Sequence, residues 1–214
     1  QLEDYIRDLH LERGYDLVAT PNLARRELWD TSGHTAKYAD LMYPEMRREG
    51  DPGYFVKPMN CPFHVLVYKS QIRSYRDLPM RLSELGGVYR YERLGVVHGL
   101  LRTRGFTQDD SHIVCREDQL VDEILGVFDL TLEIHRTFGF TDPVMTLSTL
   151  PGETIVTPEM AERATGALRA ALDREPRRPC PDAPTGRRGT ASRHPAGDGP
   201  TGPGRREGQP WTPA

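Results

Sequence analysis

The segment from Val88 to Cys115, VYRYERLGVVHGLLRTRGFTQDDSHIVC, gathers guanidinium groups, imidazoles, aromatic rings and a Gln-Asp-Asp run into one short stretch. Its alternation at period two predicts two strands joined by a glycine-bearing loop. Val88, Arg90 and Glu92 would share one side of the first strand, with Tyr89 and Tyr91 on the other. Gly95 and Gly99 mark a flexible connection carrying His98. The chain would then return through Arg102, Arg104, Phe106, Gln108, Asp110 and His112. A guanidinium is always charged and forks onto phosphate oxygens, so Arg90 and Arg102 are candidate phosphate ligands. Phe106 offers a flat face to a base. The plainer reading is a solvated hairpin with cross-strand ion pairs, which are common and weak; spacing alone does not separate the two.

The remainder of the chain predicts an α+β domain. Leu2, Tyr5, Ile6 and Leu9 recur at helical spacing and Gly14 provides a stop. Strands are expected near Tyr15 to Ala19 and Tyr54 to Met59, with helices from Ala24 to Thr31 and from Pro62 to Ile72. Glu117 and Asp118 suit the positive end of a helix that continues through Leu120, Ile124, Phe128 and Leu132 and ends near Gly139. Strands paired mainly antiparallel, with helices too irregularly spaced for repeated βαβ units, define the class.

Composition bounds the function. With 214 residues, 37% of them hydrophobic, the chain can bury one core. A net charge of −3 argues against a general polyanion binder. Three cysteines and no apolar leader point to a reducing, cytoplasmic setting, and no run has the length of a membrane span. The chain opens without methionine inside a predicted helix, as a cut end would. From Pro176 onward, Pro, Gly and Arg dominate, and this stretch holds half of the chain's 18 prolines. Such a sequence cannot offset its ordering entropy by burial. Residues 176–214 are therefore expected to be a disordered tail, either basic and nucleic-acid-binding or the product of a reading-frame shift in GC-rich DNA. Translating the other two frames distinguishes these.

Several stretches together carry a family resemblance. RYER, from Arg90, with HGLLRTRGFTQDDSH, His98 to His112, resembles the second signature motif of class II aminoacyl-tRNA synthetases, specifically the threonyl-tRNA synthetase family. Gly14 to Tyr43, with Pro21, resembles the first motif, and KPMNCPFHV, Lys57 to Val65, is similar to the family's zinc-ligand signature. TFGF, the strand-like Val144 to Thr149 and the helical TPEMAERATGALRAALDRE extend the likeness over residues 1–175.

The resemblance implies an incomplete class II catalytic fold, a mostly antiparallel sheet flanked by helices. It also implies ATP-dependent activation of threonine and its ligation to tRNA(Thr). Arg90 would contact the α-phosphate as the catalytic cation. Arg102 would reach the outer phosphates, Glu92 would belong to the nucleotide side, and Phe106 would stack under adenine. Met59 and Gln108 would line the threonine pocket, and Asp110 would accept a hydrogen bond from the substrate hydroxyl. Cys61 and His112 fall on two of three zinc ligands, the third being a histidine near a third motif not contained in this sequence. From the residues alone, Cys61 and His112 would read as a buried thiol and a hydrogen-bonded imidazole.

The implied cofactors are ATP, Mg2+ and Zn2+. Zinc has a chemical rationale, because threonine and valine share a shape and only a site that ligates the hydroxyl rejects valine strongly. The implied homodimer would form through Gly14 to Asp30. Phe63 and Leu150 depart from the family's usual glycine and arginine, Phe63 adding bulk beside the metal. The anticodon-binding domain and amino-terminal editing modules are also expected to be missing. The alternatives are a synthetase-like non-enzymatic paralogue, or an inactive fragment binding a nucleotide or a partner. A prolyl-type ligase is disfavoured by MNCP and QDDSH, since proline has no hydroxyl for a metal to hold.

Overall fold

The computed structural model describes residues 1–140, 143, 145–147 and 157–174. Its centre is β4 (Met80–Tyr89), which pairs antiparallel with β5 (Gly105–Val114) over its whole length, from Met80 opposite Val114 to Tyr89 opposite Gly105. The short β1 (Asp16–Leu17) lies parallel along the other edge of β4. A separate antiparallel pair joins β2 (Leu23–Arg25) to β3 (Tyr54–Val56). Antiparallel pairing therefore dominates among the described residues.

Helices cover this framework in two places. α1 (Leu2–Glu12) carries Glu3 and Asp4 in its first turn, where the helix dipole favours acids, and is followed by Gly14 at φ +74°. α5 (Leu120–Thr137) has acids in its first turn and His135 and Arg136 in its last. Leu9 and Tyr15 pack with Leu130 of α5, and Tyr5, Ile113 and Ile134 close around them. The second cluster joins Ala24 of β2 and Trp29 of α2 (Arg26–Thr31) to Met42, to Phe55 of β3 and to Phe63 of α4 (Cys61–Lys69). The short α3 (His34–Lys37) lies against α2, and α6 (Pro158–Arg174) packs on α5. No helix among the described residues is long and apolar enough to cross a membrane.

Four sequence expectations require correction. The hairpin is shifted: its first strand begins at Met80 and ends at Tyr89, so Arg90 and Glu92 lie in the connection, and the return strand starts at Gly105, after Arg102 and Arg104. The helix expected from Ala24 starts at Arg26, because Leu23–Arg25 is held as a strand by Tyr54–Val56. The strand expected to Met59 stops at Val56, before Pro58, which has no N–H to donate to a ladder. The expected strand from Val144 to Thr149 lies mostly outside the described residues, and Met145 to Leu147 within it form no strand.

Candidate active site

The period-two reading of β5 holds in its upper part, where Phe106, Gln108, Asp110 and His112 share a half-buried face. They stand opposite Val88, Gly86, Glu84 and Leu82 of β4. α4 begins against this face. Pro62 fits its first turn, where the missing N–H costs nothing, and Cys61 is its first residue.

The Cys61 sulfur, an Asp110 carboxylate oxygen and a His112 ring nitrogen all lie within 4.8 Å of one another. Burial pushes the Cys61 thiol pKa up, with Asp110 adding to the effect and Arg90 opposing it. Burial pulls the His112 imidazole down, against the attraction of Asp110. Sulfur and imidazole nitrogen are the donors zinc favours, and a carboxylate oxygen is an acceptable third. Cys61 and His112 therefore offer two donors that suit such an ion, with the Asp110 carboxylate beside them.

Asn60, fully buried immediately before Cys61, donates from Nδ2 to Asp110 Oδ2 at 3.0 Å. Its amide lies across Gly86, where an added Cβ would come within 2.5 Å of Nδ2. Gly86 is thus required for close approach rather than for an unusual backbone angle.

Behind this set runs a buried ionic network. His64 Nδ1 is 2.8 Å from His112 Nδ1, and His64 Nε2 is 3.1 Å from Glu84 Oε2. A carboxylate only accepts, so His64 donates from Nε2. Glu84 Oε1 also accepts from Lys57 Nζ at 3.2 Å and from the Thr20 N–H at 2.9 Å. Lys57, which is 1% exposed, further donates to Thr20 Oγ1 at 2.8 Å. Burial alone would raise the Glu84 carboxyl pKa, yet the bonds from Thr20, His64 and Lys57 prevail and hold it below its ordinary value.

At the other end of the face, the Arg90 guanidinium lies over the Phe106 ring, 5.3 Å from its centroid, and Nε donates to the Pro58 carbonyl at 3.4 Å. Residues 90–104 fold back on their own base. Arg102 donates to Glu92 Oε2 at 3.1 Å, while Arg104 donates to the Glu92 carbonyl at 2.8 Å and covers Tyr91. Half-buried Met59 precedes Asn60, and half-buried Gln108 faces Gly86. Phe63, expected to crowd the metal, instead packs edge-on against Trp29 with ring centroids 5.8 Å apart.

The structure therefore joins Cys61, Asp110 and His112 at one end, Arg90 and Phe106 at the other, and pairs Arg102 with Glu92. Sequence reasoning assigned no role to Thr20, Lys57, Asn60, His64 or Glu84. The signal available for Lys57, Asn60 and His64 was their place in KPMNCPFH, beside a thiol already singled out.

Residues 43–171 match the tRNA synthetase class II core domain (G, H, P, S and T). The chain belongs to this class II core family. Threonine–tRNA ligase from Sulfurihydrogenibium sp. is 52% identical over 173 residues, 81% of this chain and 27% of that protein. The chloroplastic/mitochondrial threonine–tRNA ligase 2 of Arabidopsis thaliana is 52% identical over 172 residues, covering 80% and 26% respectively. The crystal structure of the RNA binding domain of threonyl-tRNA synthetase from Cryptosporidium parvum Iowa II superposes with a TM-score of 0.71 at 38% identity, over 80% of this chain and 42% of that one. The class II core described here thus spans about a quarter of the length of the curated relatives it matches.

Proposed function

We propose that this chain contributes the core of an ATP-dependent threonine–tRNA ligase. The observation that carries this reading is the layout of one strand face, with Arg90 over Phe106 at one end and Cys61, Asp110 and His112 together at the other. From Phe106 to His112 a strand advances about 3.4 Å per residue, enough to lay out a base, an α-phosphate and an amino acid in line.

In the reaction, the threonine carboxylate would attack the α-phosphate of ATP, releasing pyrophosphate and forming threonyl-AMP; the terminal adenosine hydroxyl of tRNA(Thr) would then take the threonyl group as the bond to phosphate breaks and AMP leaves. The first step needs no protein nucleophile, so its rate rests on alignment and on stabilising charge at the phosphoryl oxygens. Arg90 would leave the Phe106 ring for the α-phosphate, freeing that ring for adenine. Arg102, at present on Glu92, would turn with magnesium toward the outer phosphates, and Glu92 would stay on the nucleotide side. Met59 and Gln108 would line the threonine pocket, with Asp110 accepting from the hydroxyl. Cys61 and His112 would hold a zinc ion, which would supply Lewis acidity for recognising an amino acid that carries a hydroxyl and so disfavour valine.

Among the described residues, Cys61 and Cys115 are free thiols, which accords with a cytoplasmic location. The segment Gly14 to Asp30, where Leu17 and Leu23 are exposed, is the proposed dimer surface, and sedimentation analysis checks it. The decisive experiment for the reaction is threonine-dependent exchange of radiolabelled pyrophosphate into ATP. Exchange with threonine and not with valine is expected. ATP binding without any exchange would overturn the reading in favour of a nucleotide-binding paralogue.

A further inference from the structure

We infer that Arg104 is a positioning residue whose side chain clamps together the two limbs of the loop between β4 and β5, and so sets where Arg102 stands for the outer phosphates of ATP. This rests on the ligase reading above, in which Arg104 otherwise has no part.

The β4–β5 ladder ends at Tyr89 and Gly105, and one more backbone bond follows it, from the Arg90 N–H to the Arg104 carbonyl at 2.8 Å. There the first limb leaves the ladder. The Glu92 N–H turns back to the Arg90 carbonyl at 2.9 Å, and the Tyr91 N–H donates away from the hairpin, to the Leu41 carbonyl at 2.9 Å. The backbone of Arg102 exchanges bonds with His98 at 3.2 and 3.1 Å, which closes the tip of the loop on itself without tying it to the base. Among the described residues, what joins the two limbs beyond Arg90 is therefore side chains, meeting at Tyr91 and Glu92.

Arg104 supplies most of that joint. Its Nε and Nη2 both donate to the Glu92 carbonyl, at 3.1 and 2.8 Å, and its guanidinium lies over the Tyr91 ring, 5.2 Å from the centroid, while that ring stands edge-on to Tyr43. The Glu92 carbonyl accepts from no other group among the described residues, and Glu92 is buried, so losing the fork strands an acceptor at a cost. The carboxylate of the same residue holds Arg102 at 3.1 Å. The two phosphate-directed cations thus have different supports. Arg90 is kept by its ladder bond, by the Pro58 carbonyl and by the Phe106 ring, none of which uses the Arg104 side chain. Arg102 is kept through Glu92, which the Arg104 side chain fixes. Lysine at 104 could neither fork nor stack in this way.

Calorimetry on the full chain tests this with two ligands. One is ATP with magnesium; the other is a threonyl-adenylate analogue with a sulfamoyl group in place of the phosphate, which has base, sugar and threonine but nothing at the outer phosphates. Arg104→Leu is expected to weaken ATP binding by about tenfold, as loss of a charged hydrogen bond does, and to leave the affinity for the analogue as in wild type. Added to Arg102→Ala, it should weaken ATP no further, because the cation it positions is already gone. A side chain needed only for folding would instead weaken both ligands and add to Arg102→Ala. Where Arg104→Leu fails to fold by circular dichroism, Arg104→Lys, which keeps the charge but not the fork, carries the same comparison with a smaller loss. Equal loss of both ligands, wild-type ATP affinity in a folded Arg104→Leu variant, or losses that add in the double variant overturns the inference alone. A wild-type chain that binds neither ligand overturns the ligase reading and this inference together.

Discussion

Glu84 and His64 meet inside the protein, with Oε2 of one 3.1 Å from Nε2 of the other and both side chains almost wholly shielded from solvent. One comes from the central strand and the other from the helix that begins at Cys61. The same carboxylate holds the Lys57 ammonium. The candidate site therefore rests on a buried charge balance rather than on an apolar floor.

Removing Glu84 should be costly for that reason. Glu84→Ala leaves Lys57 buried without its counter-charge and is expected to destabilise the fold by about 3 kcal/mol, as breaking a buried pair does. Urea unfolding followed by circular dichroism measures it.

The same carboxyl predicts an acid sensitivity. Its folded pKa lies below the ordinary value of 4.5, so its contribution is intact above that value and is lost as pH falls from there toward the folded pKa. Urea midpoints taken through this acid range should fall more steeply for wild type than for Glu84→Gln, which cannot titrate.

Trp29 anchors the second cluster, with no exposed surface and with Phe63 and His34 edge-on to its ring. Trp29→Ala should cost about 4 kcal/mol through the cavity it leaves. Its indole Nε1 has no hydrogen-bond partner among the described residues, so Trp29→Phe should cost only about 1 kcal/mol. Thermal and urea melts of the two variants compare these.

Phe106 and Arg90 should separate kinetically although they touch. Phe106→Leu removes a stacking face and is expected to raise the KM for ATP by about tenfold with little change in kcat. Arg90→Lys keeps the charge but loses the fork, and should lower kcat by about a hundredfold through poorer stabilisation of the α-phosphate. Pyrophosphate exchange over a range of ATP concentrations distinguishes the two patterns.

Cys61 should matter to metal and threonine but not to the nucleotide. Cys61→Ser is expected to weaken Zn2+ binding by at least about tenfold and to leave ATP affinity unchanged. Competition with a chromophoric chelator and calorimetry with ATP provide the two measurements.

The sequence made β5 readable because Phe106, Gln108, Asp110 and His112 alternate with smaller residues along one strand. The partner strand was not readable. Met80–Tyr89 includes Gly86 and Gly87, which weaken a strand signal, and a glutamate at 84 whose burial makes sense only once Lys57, Thr20 and His64 arrive from elsewhere in the chain. Helix propensity likewise favoured Ala24 as a helical residue, whereas pairing with Phe55 holds it in a strand. The residues that resemblance pointed to were those expected to touch substrate or metal. Those that hold them in place, Asn60 above all, have no local pattern, because their role depends on a neighbour fifty positions away.

The tight fit of the Asn60 amide over Gly86 also constrains the routes by which this site could change. A side chain at position 86 obliges the Asn60 amide to move unless position 60 has first been made smaller, whereas position 60 can shrink while glycine is still present. Substitution is thus easier in one order than in the other, so a library that varies one position at a time would undervalue position 86 and overlook the double variants in which it is free.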